Sequence, residues 1–307
     1  MKKIFIVMAG TLAAMMAAAS AGAAINVFAC EPEWAALAQE IGGDRVNTTS
    51  ATTALQDPHR VEARPSLIAR VRNADLVVCT GAELEIGWLP LLLNQSGNAK
   101  VQPGRPGNFE AAQYVSRLEI PKVLDRALGD IHPGGNPHIQ TDPRNIAKVA
   151  EALIARLAQI DAPGAESYRS RGKAFLERWQ AAIVRWEQQA APLRGLPVVV
   201  HHKAWTYLEA WLGLREVATL EHQPGVPPTP SHLAELVEGM RREPAKFIVY
   251  SAYNDPKAAG FLSQRTGVPA VLLPFTVGGT EGARDLFSLF DDTLSRLLSA
   301  AQGKGSK

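Results

Sequence analysis

Apolar positions along this chain come in two kinds of block. Short continuous runs, INVFAC from Ile25, DLVVCT from Asp75, LPVVV from Leu196, AKFIVYS from Ala245 and PAVLLPF from Pro269, predict buried strands. RVNTTSAT from Arg45 and EVATL from Glu216 read as two more. Between them apolar residues recur at helical spacing: EWAALAQEIGG, SLIARVRNA, WTYLEAWLG, HLAELVEGMRR with Ser231 as its cap, PKAAGFLSQRTG and RDLFSLFDDTLSRLLSAA. Strand and helix alternate, which predicts an α/β fold with parallel sheets. Residues 97–107 and 129–137 are rich in Gly, Pro and Asn and read as loops.

Two helices stand out in the middle. Asp142 and Pro143 form a cap and a first turn, and Ile146, Val149, Ala150, Leu153, Ile154 and Leu157 share one face. A longer helix is predicted over Ala165 to Ala190, with Tyr168, Phe175, Trp179, Ile183 and Trp186 along a core stripe. At about 1.5 Å per residue it would approach ~40 Å, the length of two small lobes. A second strand–helix series begins after Gly195. The division is therefore a first lobe over 25–160, a linking helix over 161–192, a second lobe with its own core over 193–302, and a disordered tail over 303–307.

The first 24 residues are a different kind of segment. Lys2 and Lys3 precede an apolar stretch ending in Ser20-Ala21-Gly22-Ala23-Ala24, the pattern of a cleaved secretory signal. The stretch is short for a membrane anchor. Taking 24 residues from 307 leaves 283, enough for two modest lobes. The signal removes two lysines, so 30 basic residues balance 30 acidic ones, and nothing electrostatic points to nucleic acid or an anionic membrane surface. Cys30 and Cys79 end two of the predicted strands, and Phe28 two residues before Cys30 fits a lipidation signal poorly. In an exported chain they form either a disulfide, contributing about 4 kcal/mol on the loop-entropy estimate, or two buried thiols.

Candidate chemistry lies in three separated histidines: His59 in DPHRVEARPS, His138 in NPHIQTDP and His202 in VVVHHKAWTYL. Each falls in a loop near a strand end, where parallel α/β folds place their sites. Imidazole suits zinc and related metals. His201, one step out of register with His202, reads as a packed neighbour, and His222 and His232 read as surface residues.

Taken together, IGGDRV, DPHRVEARPS, NADLVVCTGAELEIGWLP, NPHIQTDPRN and VVVHHKAWTYLE resemble, in order and spacing, the periplasmic zinc/manganese-binding proteins of ABC importers. The resemblance implies two α/β lobes joined by one long rigid helix, metal between them on His59, His138 and His202, and delivery to an inner-membrane permease by a monomer. It also implies modest closure on metal, because a spanning helix resists hinge bending. Two features depart from the family. A carboxylate commonly follows the last strand, where this chain has Thr276 and Val277; Asp255 and Glu221 are other candidates, or water fills the position. The family's His- and acid-rich loop is reduced to residues 117–137, where Glu119, Asp125, Asp130 and His132 remain and His132 reads as a solvated loop residue. An imidazole-rich set favours zinc over manganese, which takes more carboxylate. The competing readings are a manganese-specific binding protein, a binder of an organic solute, and a three-histidine zinc hydrolase; no HExxH-type motif supports the last.

Overall fold

Residues 23–122, 129 and 132–303 are described by the computed structural model. The predicted signal as far as residue 22, Asp125 and Asp130, and the tail from residue 304 lie outside them.

Two four-stranded parallel sheets with flanking helices form the fold. In the first, β1 (Ile25–Ala29), β2 (Val46–Ser50), β3 (Leu76–Cys79) and β4 (Asn108–Glu110) lie in the order β2-β1-β3-β4. In the second, β5 (Pro197–Val200), β6 (Arg215–Thr219), β7 (Phe247–Ser251) and β8 (Ala270–Leu273) repeat that arrangement as β6-β5-β7-β8. The helices are α1 (Pro32–Gly42), α2 (Pro65–Arg72), α3 (Leu89–Ser96), α4 (Pro143–Ile160), α5 (Ala165–Ala190), α6 (Thr206–Leu212), α7 (Pro230–Arg242), α8 (Pro256–Thr266) and α9 (Leu286–Ala301).

The pattern missed α3 and the three-residue β4. LPLLLNQS is a helix of only two turns that buries Leu92, Leu93 and Ser96, too short to show a period, and β4 carries one buried apolar residue, Phe109. The cap of α7 is also corrected. Thr229, not Ser231, accepts from the His232 amide, because Pro230 takes the first helical position. Asp142 caps α4 as expected, accepting from the Arg144 amide.

Separate lobe cores are not what the packing gives. One apolar cluster runs from Val27, Val78 and Trp34 through α4 and α5 to Val200, Val249 and Phe290. Among the described residues, two smaller clusters are private to one half each, around Phe28 and Trp88 in the first and Leu236 and Ile248 in the second. The seam is α5, which packs on α1 and α4 on one side and on α9 on the other. Its aromatic stripe makes the joint: the Trp179 and Trp186 rings are 5.2 Å apart, and Trp186 lies 5.1 Å from Phe290 of α9. A Cβ at Gly172 would fall 2.2 Å from Cδ1 of Ile154, so glycine lets α5 lie close on α4.

Cys30 and Cys79 form a disulfide at the ends of the neighbouring strands β1 and β3, with Cα atoms 4.8 Å apart. Beside it three carboxyls are buried. Glu85 accepts the amides of Thr80 (2.7 Å) and Gly81 (3.0 Å), Glu31 accepts the Thr80 hydroxyl at 3.1 Å, and Glu33 accepts the hydroxyl of Thr276 from the second half. Burial raises all three groups, Glu33 and Glu85 to about 7 and Glu31 well above its ordinary value, with Glu85 and Glu33 repelling its charge.

Replacing both cysteines by serine is expected to lower stability by up to about 4 kcal/mol in urea titrations. An unchanged midpoint would contradict a structural bridge. The carboxyls set a second expectation. A group whose folded pKa is raised contributes its stability at pH below the unfolded value and loses it as pH rises through the folded one. Glu31→Gln should therefore gain in urea midpoint relative to the parent between pH 5 and pH 8; a difference independent of pH would refute a buried, protonated Glu31.

Candidate metal centre

The three sequence-predicted histidines come together. One donor atom from each of His59, His138 and His202 lies within 4.8 Å of the other two. Their ring centroids are 5.2, 5.5 and 5.6 Å apart. Imidazoles sharing one tetrahedral ion at ~2.05 Å would have centroids about 5.2 Å apart, so the spacing suits a common metal.

Each ring is positioned by local structure. His59 sits in the loop after β2. That loop is pinned by the Trp88 indole donating to the Pro58 carbonyl at 2.9 Å, and Asp57 Oδ1 accepts from the His59 amide (3.0 Å) and lies 2.7 Å from its Nδ1. His138 follows the Pro137 turn ahead of α4. Asn136 Oδ1 accepts its amide at 3.0 Å, and the Tyr207 hydroxyl of α6 donates to the Asn136 carbonyl at 2.7 Å. His202 follows β5, with its Nδ1 2.7 Å from Glu221 Oε2. Glu221 also accepts the Gly225 amide at 2.8 Å. A carboxylate on Nδ1 fixes the tautomer that leaves Nε2 as a lone-pair donor.

The surroundings of His138 favour neutral imidazole, the form that binds metal. Burial holds His138 well below its ordinary value, helped by the charges of His59, His202 and His132. Its Nδ1 is buried with no hydrogen-bond partner among the described residues. Burial alone would raise Asp57, but its hydrogen bond and attraction to His59 hold it below the usual carboxylate range.

The remaining candidates fall elsewhere. Glu221 is occupied by His202 and Gly225, and Asp255 caps α8 by accepting the Lys257 amide. Thr276 is buried and turned to Glu33. His201 is buried with Nε2 4.0 Å from Glu221, and His222 is exposed. His232 is half-buried, its Nε2 2.9 Å from the Thr219 carbonyl, so it is not the surface residue expected. His132 is corrected too. It is half-buried, with its Nε2 3.3 Å from Nε2 of His59, and burial pushes it down to about 4. Its neighbours in sequence are glycines and prolines with no periodicity, so only the tertiary fold reveals this contact.

The cluster lies at the junction of the halves. On one side is a cavity of about 600 Å³ bordered by His59, His202, Tyr253 and Phe261; on the other is one of about 220 Å³ bordered by His132, His138 and Lys203. Bonds across the seam surround it: Arg60 to the Gly225 carbonyl at 2.6 Å, and Lys203 to Glu119 at 2.8 Å.

Residues 27–300 match the family described as zinc-uptake complex component A, periplasmic (ZnuA). The chain belongs to this family. It is 24% identical over 313 residues to the zinc-binding lipoprotein AdcA of Streptococcus pneumoniae, covering 99% of this chain and 62% of AdcA, so it spans under two thirds of that relative. It is also 24% identical over 216 residues to the manganese-binding lipoprotein MntA of Halalkalibacterium halodurans, covering 68% of this chain and 66% of MntA. A crystal structure of ZnuA shares the fold, with TM-score 0.74 at 20% identity over 90% of this chain and 99% of that one. These relatives are named as binding and uptake proteins, not enzymes. In this ZnuA-family chain the sulfur of Cys30 is in a disulfide.

Glu221→Gln, which weakens the acceptor on His202, is expected to reduce zinc affinity roughly ten- to a hundredfold in calorimetric titrations, with the fold intact by circular dichroism. An unchanged affinity would show that His202 needs no anchor.

Proposed function

We propose that this protein captures a divalent transition metal outside the cytoplasm, with zinc as the cargo its donors fit best, and passes it to an ABC-type membrane permease. His59, His138 and His202 hold the ion. The observation that carries this reading is the convergence of their donor atoms within 4.8 Å from three loops belonging to both halves of the chain. Residues 1–24 act as the cleaved export signal, leaving a monomer in the periplasm. Lobes 25–160 and 193–302 flank the helical region 161–192.

Zinc over manganese follows from the donors. Manganese sites draw on carboxylate oxygens. The carboxylates nearest the cluster, Asp57 and Glu221, each accept from an imidazole Nδ1. What faces the shared centre is imidazole nitrogen, which suits zinc. Family membership supports the uptake role, although relatives carry both zinc and manganese names.

Replacing His138 tests the assignment. His138→Ala is expected to abolish high-affinity zinc binding in calorimetry while the apo protein unfolds at close to the parent's urea concentration. Retained affinity would refute the site, and metal analysis of the gently purified protein showing manganese in place of zinc would refute the cargo.

A further inference from the structure

The His59–His132 pair has a geometry that a hydrogen bond alone does not demand. Their Nε2 atoms are 3.3 Å apart. Two nitrogens on one tetrahedral zinc, each at about 2.0–2.1 Å, are separated by ~3.3–3.4 Å. The His132 ring centroid lies 5.3 Å from that of His59, as the other three rings lie from one another, and 6.4 Å from that of His138, so the ring must shift inward to share the ion with all three.

The backbone also prepares His132 for ligation. Ala82 and Glu83 both have positive φ, 51° and 66°, a conformation non-glycine residues rarely adopt. This strained turn follows β3, and the Ala82 carbonyl accepts from the His132 ring. An acceptor on one ring nitrogen fixes the tautomer and leaves the other with its lone pair. His59 and His202 are prepared in the same way, by Asp57 and Glu221. The protein oxygens considered for this position have other partners: Thr276 is turned to Glu33, Asp255 accepts the Lys257 amide, and Glu221 accepts from His202 and Gly225.

We propose that His132 is the fourth metal ligand, so that zinc is held by four imidazole nitrogens and no carboxylate. The inference rests on the three-histidine reading above and deepens it: an all-nitrogen set excludes the oxygen donors manganese favours, making His132 a residue that sets metal preference.

X-ray absorption at the zinc edge on the zinc-loaded full-length protein tests it, alongside His132→Ala. The parent is expected to show four nitrogen neighbours with the outer-shell scattering of four imidazoles. The variant should show three imidazoles plus one oxygen, bind zinc roughly ten- to a hundredfold more weakly, and discriminate less against manganese. Three imidazoles in both proteins, with equal zinc affinity, would overturn the fourth-ligand assignment and leave the three-histidine site standing. Failure of the parent itself to bind zinc would sink both. The parent spectrum counts imidazoles directly, so a poorly folded variant would not rescue the inference.

Discussion

Everything at this centre depends on holding neutral imidazoles in a buried seam with their donor nitrogens facing inward. For His138 burial, helped by the neighbouring histidines, disfavours the charged form. Elsewhere an acceptor on the far nitrogen does the orienting: Asp57 for His59 and Glu221 for His202. Both carboxylates are spent on imidazole N–H groups, so the centre is rich in nitrogen although acids lie close by.

The scaffold makes the seam stiff. A hinged pair of domains would have two cores with a polar joint between them. Here one apolar cluster runs through α5, with Trp179 and Trp186 packed between the halves. Loops carrying the histidines are tied across the seam, Arg60 to Gly225 and Glu119 to Lys203.

Much of this was legible in the sequence, for identifiable reasons. Continuous apolar runs gave five of the strands because parallel sheets are buried on both faces. The three central histidines were found because loops after parallel strands converge on one edge. What stayed hidden depended on tertiary contact. The core shared across the halves is invisible in a helical stripe, which reads the same whether it packs on one lobe or two. His132 looked solvated because its Gly/Pro-rich surroundings carry no period, yet a strained turn at Ala82 and Glu83 draws it inward. The carboxylate candidates Asp255 and Glu221 each have a nearby partner that spacing cannot reveal, the Lys257 amide and the His202 ring.

The most direct measurement is an anomalous difference map, collected at the zinc edge from crystals of the zinc-loaded protein. The account predicts one strong peak at the seam, within about 2.0–2.1 Å of a nitrogen from each of His59, His138 and His202. Peaks at separate places, or rings turned away from any common ion, would contradict it.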